Sequence, residues 1–466
     1  MAEVRSTSIW DSRTVQRLDL FGAIVAIFVL ARLVWVEDLG WIAGVTAGLL
    51  VILLTAVRWP YGAFVVLFAM SAASGFQFEL FGWNAHPEHI AVGLISVAFV
   101  ILVLFHKVDA RPDSSDYWIL GYVAVTVFSS AFASPDPAST LRWALQGFLA
   151  MFPYFFIRAL VRDVSTLKNT FYTLLAIGFA ECSYGIVSYL SYHVFGTTFG
   201  MVLSQYGEVA VPDGTFVEPN LFGAYAAASA VGFLALFNSF ERNRGLALAG
   251  FLVTSLAAFL SFSRAALLAL IVVAGWMFIR VKPSGNRGRT KKLGFVAVGS
   301  LLVVVALGTT AAGGILKQRF AELISSGLAD ETALVRYAAI LEALKDITGH
   351  LVVGNGANSL QLTSNLGHFI TGEDRATWIG ILPIRVLHDA GILGLVMLAG
   401  FFISLWLRIR SGLRNKTGYS AILLGLWAGT LVYGITFQST DGTILAFSWI
   451  HFGLLASAAN LAPVPS

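Results

Sequence analysis

Long apolar runs alternate with short polar stretches from Leu18 almost to the end of the chain. Each run reaches about 18 residues, enough for a helix to cross a hydrocarbon core roughly 30 Å thick. A closed barrel would instead read as alternating segments of about ten residues. The unbroken runs therefore predict helices, which satisfy their own backbone groups in lipid. About fourteen spans are expected on this pattern, at 18–36, 40–57, 60–80, 88–106, 117–134, 140–157, 169–195, 217–240, 245–262, 264–280, 293–312, 383–407, 418–437 and 442–461. The fold class is all-α and polytopic, in one membrane domain over residues 1–466.

One connection breaks the rule of short loops. Residues 313–382 form a long loop before the last three spans, and loops of that length are usually functional or disordered, disorder being the weaker reading here because the loop has helical periodicity and apolar content. Within it, Glu331 to Ile347 has helical periodicity. Glu342, Lys345 and Asp346 share one arc, whereas Leu334, Tyr337, Ile340, Leu341 and Leu344 occupy the other side. Arg336 falls beside Ile340 and Ile347, away from the charged arc, and is expected to point toward the protein. Gly354-Asn355-Gly356 predicts a tight turn after this helix.

Composition agrees with lipid as the solvent: 57% of residues are apolar, 12% are charged, and the mean hydropathy is +0.78. The net charge of +4 raises the question of nucleic acid, which the positions of the cations answer. With the N-terminus inside, most Lys and Arg residues fall in loops on that side, including the basic stretch from Arg280 to Lys292. Such an excess marks the cytoplasmic face. Both termini are therefore expected to be cytoplasmic, with no removable signal peptide and no nucleic-acid partner. The single cysteine, Cys182, reads as a packing residue and excludes an internal disulfide.

Ionisable residues at membrane depth are costly and mark functional sites, and here they gather at the expected outer side. Ser261-Phe262-Ser263-Arg264 lies at a sharp reversal, where Ser263 can cap the helix that follows and Arg264 occupies its first turn. Free N–H groups, the helix dipole and a guanidinium together suit an anion such as phosphate, the alternative being an arginine that merely reaches to the membrane interface. Glu218, at the start of another inward helix within Gly214-Thr215-Phe216-Val217-Glu218-Pro219-Asn220, could cap it, bind a cation such as Arg264, or act as a base. Arg385, His388 and Asp389 share one helical face. They suit either a general base with its carboxylate or a polar tie between helices. The chain has no Asp-x-Asp pair, P-loop or His-Glu-x-x-His helix, so no metal or other cofactor is expected.

These residues resemble the O-antigen ligase and polysaccharide polymerase family. The likeness rests on Gly214-Thr215-Phe216-x-x-Pro219-Asn220, Ser263-Arg264, Arg336 followed by Gly354-x-Gly356, and Leu387-x-x-x-Gly391-Ile392-Leu393-Gly394. It covers roughly residues 215–407. The resemblance implies a GT-C-like helical glycosyltransferase of the bacterial inner membrane. Its donor would be a glycan on undecaprenyl pyrophosphate, its acceptor a hydroxyl on a glycan, lipid or protein. Arg264 and Arg336, with Ser263 and Arg385 nearby, would hold the donor, and neither metal nor cofactor would be required. Where the family often has an acceptor-activating His, this chain has Gly380. His388, Glu218 or the loop residue His368 would take that role. A secondary transporter or flippase of an anionic substrate is the rival reading; transporters tend to show matching halves and helices broken at midplane.

Overall fold

The structure is a computed structural model that describes residues 60–76, 78–80, 83–106, 108, 112–203, 210–239, 244–280, 331–364, 379–414 and 419–461. The predicted spans 18–36, 40–57 and 293–312, the basic stretch after Arg280 and His368 lie outside the described residues.

Every other predicted span is occupied by a helix: α1 (Pro60–Ala72), α2 (Pro87–Leu104), α3 (Ser114–Phe132), α4 (Pro137–Leu160), α5 (Val164–Phe195), α6 (Pro219–Ser239), α7 (Arg244–Leu260), α8 (Arg264–Arg280), α11 (Leu382–Arg414), α12 (Ser420–Thr436) and α13 (Ala446–Asn460). The long loop contributes α9 (Glu331–Ile347) and the short α10 (Leu360–Thr363). Among the described residues five helices, α2, α4, α5, α6 and α11, are long and apolar enough to cross a membrane. The chain is thus a predominantly helical membrane protein. Asp113, Asp136 and Asp163 cap α3, α4 and α5 by accepting N–H groups of the first turn, which fixes where those helices begin.

Two helices sit at the centre. Some 83% of the α6 window is buried, against 33% for α2 and α11. Nearly every side chain of α13 is also covered. Small residues allow this. Lipid supplies little hydrophobic drive between helices, so close backbone approach provides the packing. A Cβ on Gly425 of α12 would touch Ala235 and Gly232 of α6, and one on Gly453 of α13 would meet the Tyr154 backbone of α4 at 3.0 Å.

Two expected helix bounds need correction. The span placed at 60–80 ends at Ala72, because the chain turns at Ser74-Gly75, where the Gly75 N–H donates to the Thr215 carbonyl at 2.7 Å. Among the described residues two short antiparallel strand pairs accompany the helices of this all-α fold, β1 (Phe78–Leu80) with β2 (Trp83–Ala85), and β3 (Met201–Leu203) with β4 (Ala210–Pro212). The last helix starts at Ala446 rather than 442, because Asp441 Oδ1 accepts from both the Thr443 N–H and its hydroxyl and holds a turn there.

Helix α11 is broken. Gly391 has φ 66° and ψ −167°, so residues 382–390 and 392–414 form two helical pieces. Residues 351–356 of the long loop fill the gap. The N–H groups of Ile392 and Leu393 donate to the carbonyls of Leu351 and Val352, while those of Asn355 and Gly356 donate to the carbonyls of His388 and Asp389. Backbone thus replaces the hydrogen bonds that the break removes, as burial in lipid demands. Gly354, with φ 78°, lies so close that a Cβ would meet Ala390 N at 2.5 Å. The tight turn expected at Gly354-Asn355-Gly356 is present, and its role is to dock the loop into a membrane helix.

Candidate functional site

The starts of α6, α8, α11 and α13 meet at one end of the bundle, called the mouth below. At the other end a polar clasp joins α3, α4, α11 and α13. Arg408 donates to Asp113 at 2.8 Å and to Asn460 at 2.7 Å, and Arg158 pairs with Asp116 at 2.6 Å. Burial works against the charged form of Asp113, but hydrogen bonds from Arg408, Ser115 and Asn460 outweigh it and hold the carboxyl well below the usual range.

At the mouth, Ser263 caps α8 as expected, its hydroxyl accepting from the Ala266 N–H at 3.4 Å. Phe262 adopts a left-handed φ of 52° to make the reversal, and Arg264 follows as the first residue of α8, half-buried. Gly223 of α6 presses against this turn, where a Cβ would lie 3.0 Å from Ser263 Cβ. Glu218 precedes Gly223 by little more than one helical turn, about 7 Å of rise. The two motifs are therefore neighbours.

The segment carrying Glu218 is fastened from two sides. Thr215 donates its N–H to Glu181 of α5 at 2.7 Å and its hydroxyl to the Ala72 carbonyl of α1 at 2.6 Å. The charge of Arg336 in α9 and a hydrogen bond from the Thr440 side chain both act on Glu218. Burial pushes its carboxyl above the ordinary value, and Arg336 and Thr440 pull against that shift. Cation binding, one of the three roles expected for Glu218, fits this arrangement, with Arg336 as a charge that acts on it.

Arg336 indeed lies on the packed side of α9, in a stripe with buried Ala339, Ala343 and Ile347. The arc of large apolar residues does not: Tyr337, Leu341 and Leu344 are exposed. Small side chains let α9 sit close against α11, so the covered stripe is the narrow one. Asp346, assigned above to the charged arc, points to His388 instead.

His388 is fully buried between two carboxylates, with Nδ1 3.0 Å from Asp389 and Nε2 3.0 Å from Asp346. Only the doubly protonated ring can donate to both. Arg385 looks elsewhere, with Nε 2.6 Å from Asp441 and a terminal nitrogen donating to Thr443 at 3.0 Å. The shared face of Arg385, His388 and Asp389 thus divides, with His388 tying α9 to α11 and Arg385 tying α11 to the loop before α13.

Sequence reasoning missed Glu181, Asp346, Thr440 and Asp441. The polar run Ser439-Thr440-Asp441-Gly442-Thr443, at a reversal between two apolar spans, carried the same kind of signal as Ser261 to Arg264. Cys182 is buried, in keeping with a packing role. No protein-family model matches the chain, and no curated protein matches it either.

Proposed function

We propose that this protein moves a glycan from an undecaprenyl-pyrophosphate carrier to an acceptor hydroxyl on the outer face of the bacterial inner membrane. It would act as a GT-C-like polysaccharide polymerase or O-antigen ligase does. The observation that supports the reading is that the charge of Arg336 acts on Glu218, the two coming from motif segments far apart in the chain, while the helix that Glu218 precedes packs on the capped start of α8 with Arg264.

In the proposed reaction the acceptor hydroxyl attacks the anomeric carbon with inversion and gives its proton to Glu218. The bond from that carbon to the pyrophosphate oxygen breaks, and the electron pair leaves on undecaprenyl pyrophosphate. Arg264, Arg336 and the α8 N-terminus meet the charge on the leaving group, and fixed donors of this kind are worth about 3 kcal/mol each. Both ring nitrogens of His388 are engaged by carboxylates, which favours Glu218 over His388 as the base. His388 then keeps α9, and with it Arg336, in position.

The break in α11 is the observation that speaks for a transporter or flippase. Against it, loop backbone occupies the break, so its peptide groups are spent on protein. Reconstituted protein given a lipid-linked glycan should release free undecaprenyl pyrophosphate only when acceptor is present. Arg264→Ala and Arg336→Ala should each abolish that release while the protein stays membrane-inserted. Lys should rescue poorly, because it lacks the planar fork that grips phosphate oxygens. Translocation of intact donor without release would establish the rival reading.

A further inference from the structure

Between α3 and α4, at the mouth end, lies an open groove. Its walls are apolar, with Val123 on α3 and Phe148 and Met151 on α4, and Trp143 stands partly exposed at its rim. Both helices also expose large apolar side chains in this half, among them Val127, Leu141 and Leu145, so the groove opens toward lipid. Its floor is polar and includes Asn358, Arg385, Asp389 and Thr443.

Two features of the floor define what it can take. Asn358 Nδ2 is buried without an acceptor, and an oxygen from a ligand would supply one. The formal charge is in negative excess. Arg385 is matched by Asp441, Asp389 adds a second carboxylate, and His388 behind it is matched by Asp346. A phosphate would be repelled there. A hydroxyl can donate to a carboxylate and accept from an amide at once.

The groove is also next to the site described above. Asp441, which pairs with the floor arginine, is the residue after Thr440, which bonds Glu218. Adjacent Cα atoms are about 3.8 Å apart. Building on the proposed transfer reaction, we infer that the groove receives the acceptor: a membrane lipid with an uncharged, polyhydroxylated headgroup, its chains along the α3–α4 wall and its hydroxyls on Asp389 and Asn358.

The test is photolabelling of the full-length protein in nanodiscs. Two probes with identical diazirine-bearing acyl chains are compared, a diglucosyl diacylglycerol and phosphatidylglycerol. The glucolipid should label peptides within residues 117–151 about tenfold more strongly, the worth of one or two hydrogen bonds. Equal labelling by both lipids would mean ordinary boundary lipid and would overturn the inference. Gly147 lines the groove and has open space where a Cβ would stand, so Gly147→Phe should erase the preference and Gly147→Ala should keep it. The wild-type comparison stands even if the Phe variant does not fold. Free maltose should not compete; competition equal to that of the lipid would remove the membrane anchor from the inference. Labelling needs no turnover, so a negative result leaves the donor site to its own assay. Selective labelling without any release of undecaprenyl pyrophosphate would instead reject the transfer reaction and keep the lipid site.

Discussion

Glu218 and His388 present opposite faces of the same question, which is whether a buried titratable group is there to move a proton or to hold structure. Glu218 accepts a proton only as the carboxylate, and burial raises the pH at which it becomes one. The rate of transfer should therefore fall as pH drops through a limb that lies above 4.5, the ordinary value for a Glu carboxyl. Glu218→Gln should flatten that limb and cost about 10²-fold or more in kcat at saturating donor. A loss smaller than about tenfold with the limb intact would remove Glu218 from the chemistry. His388→Ala should act differently, raising the donor KM through a misplaced Arg336 while the acid limb stays where it was. Local chemistry made some of this legible in the sequence: Ser263 and Pro219 read as helix starts because capping involves only near neighbours. The partners of Glu218 and His388 were not legible, since Arg336 and Asp346 reach them from a segment with no local signal of where it docks.

The same division holds for elements. Apolar length alone located the helices, because the solvent of a membrane span imposes both its composition and its length. The break in α11 left no such trace. Gly391 stands in the apolar run Ala390-Gly391-Ile392-Leu393, and a helix tolerates an isolated glycine at a cost of about 1 kcal/mol. What requires glycine there is the backbone of Val352, which a Cβ would strike. Gly354→Ala and Gly391→Ala should each destabilise the docked loop by about 1–3 kcal/mol, since both positions combine positive φ with a backbone clash. Thermal unfolding followed by size-exclusion fluorescence, with limited proteolysis after α9, would read the loss. Gly349→Ala, with open space at the Cβ position, serves as the neutral control. An unchanged midpoint in both docking variants would mean that the joint adds nothing to stability.

At the scale of the molecule, polar chemistry is concentrated at two ends of the bundle, the Asp113 clasp at one and the mouth with Glu218, Arg336 and Arg385 at the other. From the distribution of Lys and Arg in the sequence we propose that the clasp faces the cytoplasm and the mouth the outside. On a Cys182→Ser background, a cysteine at the exposed Thr363 should react with an impermeant maleimide in intact cells. One at the exposed Ser165, near the clasp end, should react only after permeabilisation. The reverse pattern would invert the protein and move the proposed reaction to the wrong side of the membrane. The joint at Gly391 also bears on how distant kin of this chain could be found. A joint built from peptide groups leaves neighbouring side chains free to drift, as long as two glycines keep their places. Chains too diverged to align should then still share one glycine inside an apolar run and a second in the loop upstream, and a survey for that spacing would reach further back than any comparison of side chains.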